Sequence, residues 1–175
     1  MTNRTPLTEK QLLLRIRGLV LFYMLAILAS GITAFPLRWE LEVLCRWFGE
    51  GTFFGNHIPG LADWLAFVRA GIEYNAVHFP FYAYGTDWLA FAHIVIATAF
   101  LGPFRDPVRN LWVIHWAMIA CVALLPLAFI CGPIRGIPFG WQLIDCCFGV
   151  FGIIPLIVIH RMVKRMEQLQ SAPRR

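Results

Sequence analysis

Three long apolar runs stand almost end to end between Tyr84 and His160. They read YGTDWLAFAHIVIATAFLGPF, LWVIHWAMIACVALLPLAFIC and WQLIDCCFGVFGIIPLIVIH, parted only by RDPVRN and GPIRGIPFG. Each run is close to the ~20 residues a helix needs to cross ~30 Å of hydrocarbon. Within hydrocarbon a backbone must satisfy its own N–H and C=O groups, which a helix does segment by segment. A fourth run, Gly18–Leu37, carries no charge. The chain therefore reads as an all-α integral membrane protein, a single membrane domain over residues 1–175. Four transmembrane helices are expected at about 18–37, 86–104, 111–131 and 139–160. The first is too long for the apolar core of a cleaved signal peptide and is expected to stay as an uncleaved signal anchor.

Composition agrees with this reading. The chain is 59% hydrophobic and 14% charged, against about 25% charged in ordinary soluble domains, and its mean hydropathy is +0.65. The formal charge is +5, but the basic residues flank apolar runs, a membrane pattern, so no nucleic-acid partner is expected. Of the five cysteines, Cys45, Cys121, Cys131, Cys146 and Cys147, none forms a CxxC pair, which argues against a zinc knuckle or a thioredoxin-type motif. Whether Cys45 and Cys131 are joined in a disulfide is left open by spacing. Free cysteine otherwise packs as a small hydrophobe.

Orientation follows from the lysines and arginines. With the N-terminus inside, eleven lie on the cytoplasmic side: Arg4, Lys10, Arg15 and Arg17 before the first helix, Arg105 and Arg109 between the second and third, and Arg161, Lys164, Arg165, Arg174 and Arg175 in a basic tail over 161–175. Four lie outside: Arg38, Arg46, Arg69 and Arg135. The positive-inside rule then places both termini in the cytoplasm, with a bacterial cytoplasmic (inner) membrane as the expected location. The tail end, SAPRR, is expected to be disordered, and Leu12, Leu13 and Leu14 suit the start of a helix on the membrane surface.

Residues 38–85 then form a large outside segment, too polar to span. Leu41, Leu44, Cys45 and Phe48 recur at helical spacing, which predicts an amphipathic helix over Trp39–Phe48. GEGTFFGNHIPG breaks the pattern with glycine and proline, and Leu61–Ala76 reads as a second short helix with Asp63 in its first turn. Both are expected to lie in the interface, among an aromatic belt of Trp39, Trp47, Trp64, Phe79, Phe81, Tyr82 and Tyr84. The pentapeptide DWLAF occurs at Asp63–Phe67 and again at Asp87–Phe91, too short to define a repeat.

Ionisable side chains at membrane depth are costly and mark candidate sites. At 1.5 Å per residue, His93 on the second helix and Asp145 on the fourth both fall about 9 Å from the outer face. Gln142, Ser30 and Thr33 share that layer, and Gly149 and Gly152 continue the stripe of Gln142 and Asp145, a surface on which another helix can pack closely. His93 and Asp145 are therefore the candidate catalytic pair. Gln142, Ser30 and Thr33, with Asp87 and His78 at the outer rim, are the candidate ligand-binding set. A hydrogen bond that merely joins two helices is the competing reading of the pair. His115 lies about 6 Å from the inner face, so His93 and His115 cannot flank one haem; His160 can approach His115 there, which leaves a haem at that end open. Asp106 before Pro107 suits an N-cap of the third helix.

Motifs of known membrane enzymes are missing. HExxH, GxSxG and paired glutamates do not occur, nor do the loop cysteine pairs of quinone-linked thiol oxidoreductases. The expected function is that of a lipid- or quinone-binding protein, or an accessory subunit of a membrane complex, with a polar site in the outer half of the bilayer. Its expected partners are the bilayer, other membrane-protein subunits, or further copies of itself. The alternative is an intramembrane enzyme or proton-coupled carrier using His93 and Asp145, with metal or haem as conceivable cofactors.

Overall fold

The computed structural model describes residues 8–58 and 60–171. Arg4, Arg174 and Arg175 of the charge count, and most of the SAPRR end, lie outside the described residues. Helices follow one another in the order α1 (Glu9–Ala34), α2 (Leu37–Phe48), α3 (Phe53–His57), α4 (Leu61–His78), a 3-10 turn (Pro80–Tyr82), α5 (Ala83–Ala99), α6 (Leu101–Arg105), α7 (Leu111–Ile134) and α8 (Phe139–Ser171), and no strand occurs among the described residues. Among the described residues, four stretches are long and apolar enough to cross a membrane: Glu9–Ala34, Pro80–Arg105, Leu111–Ile134 and Phe139–Ser171. The chain divides into two compact units, one of Met1–Leu25 with Thr98–Arg175 and one of Ala26–Ala97.

The first unit is built on an antiparallel hairpin of α7 and α8. Gly136 makes the turn at φ 68°, a left-handed conformation that glycine adopts without steric cost. The buried Gln142 side chain donates from Nε2 to the Ile137 carbonyl at 2.8 Å and packs on Gly132, where a Cβ would meet it at 2.8 Å. Deeper in the hairpin Gly149 lies directly on the Cys121 carbonyl. Helices in lipid gain little from hydrophobic association, so such close backbone approach is what holds them together. The buried side chains of α8, among them Cys146, Leu156, Ile159, Val163 and Met166, recur in steps of three, four or seven. This row continues past His160, so the basic segment through Ser171 stays helical instead of ending at the apolar run.

The N-terminal part of α1 completes this unit. Leu12, Ile16 and Val20, four residues apart, are buried, and the Tyr23 hydroxyl lies 3.6 Å from the Cys121 sulfur. The segment expected on the membrane surface is thus the first two turns of α1, continuous with the apolar run. Thr8 and Gln11 fix its start: the Gln11 N–H donates to Thr8 Oγ1 at 3.4 Å and the Thr8 N–H to Gln11 Oε1 at 3.1 Å, a reciprocal capping box. At the far end of the chain Gln170 donates to Glu9 at 2.8 Å. Arg17 donates from Nε to the Phe104 carbonyl at 2.9 Å and from Nη2 to that of Arg105 at 3.2 Å, satisfying acceptors that the end of α6 leaves open.

Pro103 explains why α5 and α6 are separate helices. It lacks the N–H that would reach Ala99, and its ring crowds that carbonyl. Asp106 is extended at φ −137°, ψ 92°, as expected before proline. Its carboxylate accepts from the Arg109 N–H at 3.0 Å, so it caps the turn over 107–110, and α7 begins only at Leu111 with Asn110 before it.

In the second unit α2 packs on α4. Leu41 of α2 and Leu65 of α4 are buried, whereas Trp39 and Trp47 stay exposed, in keeping with the amphipathic spacing. Thr52 caps α3 by accepting from the Gly55 N–H at 3.0 Å. The last turns of α1 meet α5 at Gly31, where a Cβ would fall 2.7 Å from that of His93 and 2.9 Å from the Ala90 carbonyl.

Candidate functional site

The seven polar candidates divide between the units: Ser30, Thr33, His78, Asp87 and His93 belong to the second, Gln142 and Asp145 to the first. Within the second unit, several bond to their own helix. His93 Nδ1 lies 2.8 Å from the Leu89 carbonyl and His78 Nδ1 3.0 Å from that of Tyr74, and Thr33 donates to the Ser30 carbonyl at 3.1 Å. A carbonyl can only accept, so both imidazoles carry a proton on Nδ1 and, when neutral, leave Nε2 as the acceptor. The His78 ring also stacks on Tyr74 at 4.0 Å between centroids. Asp87 is half-buried near the start of α5.

Gln142 is taken up by the α7–α8 turn through its bond to Ile137. Asp145, one turn further along α8, is half-buried and has neither a hydrogen bond nor an ion pair within its unit. His115 and His160, opposite one another on the hairpin, bring their rings to 5.0 Å at 49°. No group of three or more histidine, cysteine or acidic side chains fit to hold a metal ion occurs among the described residues.

Charge gathers at two places that spacing alone did not single out. In the second unit Arg38 and Glu42 of α2 face Arg69 and Glu73 of α4 across a small cleft. Arg69 Nε donates to Glu73 at 2.8 Å, and that bond raises the guanidinium pKa further. The bonded pair lies within α4, so Arg69 is already engaged by Glu73, and the cluster places like and unlike charges of the two helices side by side across the cleft.

The other place is a groove of about 660 Å³ in the first unit, between α1 and the C-terminal half of α8. Arg15, Arg161 and Arg165 line it, over an apolar floor of Leu12, Leu19, Val158 and Met162. Gly18 keeps the α1 side open, since a Cβ there would meet nothing within 4 Å. None of the three arginines forms a hydrogen bond or ion pair with a described residue. The acidic side chains at the same ends of these helices are engaged elsewhere: Glu9 accepts from Gln170 and Glu167 pairs with Lys164 at 2.9 Å. The signal in the sequence was the four-residue step from Arg161 to Arg165, which sets both on one face of a helix, but only if the helix runs beyond His160.

No protein-family model, no curated protein and no solved structure matches the chain.

Proposed function

We propose that the chain is an accessory or lipid-binding protein of a bacterial cytoplasmic membrane, with both termini in the cytoplasm and α2 and α4 lying along the outer surface. The observation that carries this reading is the outward display of bulky apolar side chains along the spans. Phe22, Trp112, Ile119, Phe148 and Phe151 are each more than 60% exposed, a surface that lipid tails or the helices of another subunit must cover. Phe67, Phe81 and Tyr82, similarly exposed around α4 and the 3-10 turn, suit the headgroup region, where aromatic rings gather. The test is purification in mild detergent, followed by identification of lipids, quinones and proteins that stay bound in fixed ratio. A stoichiometric lipid, quinone or subunit supports the reading. A haem absorption band or a stoichiometric metal in the same sample would replace it with a redox or metal-dependent role.

A second reading, an enzyme or proton-coupled carrier using His93 and Asp145, is favoured by the lack of a partner for Asp145 within its unit. An intramembrane carboxylate without a partner is a functional candidate on energetic grounds. Asp145→Asn and His93→Ala decide it: loss of function in a protein that still folds supports chemistry at these residues, whereas unchanged function with a lower melting temperature makes them structural.

A further inference from the structure

We infer that the groove between α1 and α8 is a binding site for one anionic phospholipid, with Arg15, Arg161 and Arg165 holding its headgroup phosphate. The inference rests on the membrane reading above and adds to it a ligand class and a place. Three guanidinium groups on two helices converge on one groove without a carboxylate among its lining residues. Like charges so gathered repel, and an anion relieves that repulsion while accepting the paired N–H groups of each guanidinium. Phosphate oxygens match that donor fork in geometry and charge.

The apolar floor separates a lipid from a free phosphate compound. Leu19 and Val158 lie deeper along the helices than the arginines of their neighbouring turns, and Gly18 leaves the space beside them open. A phosphate alone uses only the arginine end. A phospholipid also lays an acyl chain along Gly18, Leu19 and Val158, which accounts for a groove that is charged at one part and apolar at another. By the positive-inside rule this end faces the cytoplasmic leaflet, where anionic lipids attract basic clusters.

The test uses the full chain in a mild detergent, with bound lipid counted by native mass spectrometry. Dioleoyl phosphatidylglycerol is compared with dioleoyl phosphatidylcholine and with inorganic phosphate. One phosphatidylglycerol per chain is expected, bound at least tenfold more tightly than phosphatidylcholine and not displaced by millimolar phosphate. Replacing Arg161 and Arg165 together by glutamine removes two charge-assisted contacts and should weaken binding by about tenfold or more. Arg109→Gln, outside the groove, should leave it unchanged. Gly18→Leu extends into the open space from a Cβ that meets nothing within 4 Å, and should weaken phosphatidylglycerol binding while preserving the melting temperature. If the double variant fails to fold, Gly18→Leu decides alone. Equal binding of the two lipids, indifference to these substitutions, or phosphate binding as tight as that of the lipid would each overturn the inference. Release of the wild-type chain from membranes by alkaline carbonate would instead sink the membrane reading beneath it.

Discussion

A methyl group added at one glycine or another has opposite consequences in this protein, because the glycines serve different purposes. At Gly149 the added Cβ falls on the Cys121 carbonyl of the facing helix, a backbone atom that cannot swing aside. Gly149→Ala must therefore push α7 and α8 apart, at a cost of about 1–3 kcal/mol. At Gly71, within α4, the same atom meets nothing within 4 Å, so Gly71→Ala should stabilise the helix by about 0.5–1 kcal/mol by lowering the entropy of the unfolded chain. Unfolding of both variants in the same detergent checks the contrast, and equal shifts would refute the packing assigned to Gly149. The sequence showed Gly149 on a helix face suited to close packing, but not which atom it would meet. The polar candidates were legible in the same limited way. His93, Asp145 and Gln142 stand out by chemistry and depth, yet spacing cannot reveal that Leu89 and Ile137 supply the acceptors for His93 and Gln142, because a carbonyl is present at every position.

Helix boundaries depend on local chemistry that apolar periodicity does not register. α2 was legible because Leu41, Leu44, Cys45 and Phe48 repeat at helical spacing, and on that side Leu41 is buried and the other three are half-buried. α1 begins well before its uncharged run, at a Thr-x-x-Gln capping box that a search for apolar stretches passes over. Thr8→Ala removes the side-chain acceptor for the Gln11 N–H and should cost about 1 kcal/mol of local stability. Hydrogen exchange of the Gln11 and Leu12 amides reads that change directly; protection equal to wild type would mean that packing of Leu12 and Ile16 alone sets the start. The C-terminal half of α8 escaped for the converse reason. Its lysines and arginines resemble a solvated tail, whereas Val163 and Met166 keep the buried row going among them. The arginine groove exists only because both helices extend beyond their uncharged runs, so it was invisible to a reading that ended them there.

Across the whole molecule, the number of spans follows from length and apolarity, which a bilayer constrains more tightly than any folding preference. Direction across the membrane does not follow from the fold, since the same helices satisfy their backbones equally well either way up. It must come from the charges at their ends, where each juxtamembrane Lys or Arg adds about 1 kcal/mol of attraction to an anionic cytoplasmic leaflet. The segments assigned to the inside carry Arg15, Arg17, Arg105, Arg109, Arg161, Lys164 and Arg165 close to span ends, against Arg38 and Arg135 at the opposite ends. Fusion of a fluorescent protein to the C-terminus should therefore give folded, fluorescent reporter in the cytoplasm. Alkaline phosphatase joined after Gly51 or after Gly136 should be active, because it acquires its disulfides only outside. A dark C-terminal reporter with inactive phosphatase at both internal sites would reverse the orientation. The arginine groove would then face the outer leaflet, where the surface charge of the cytoplasmic leaflet could not supply its ligand.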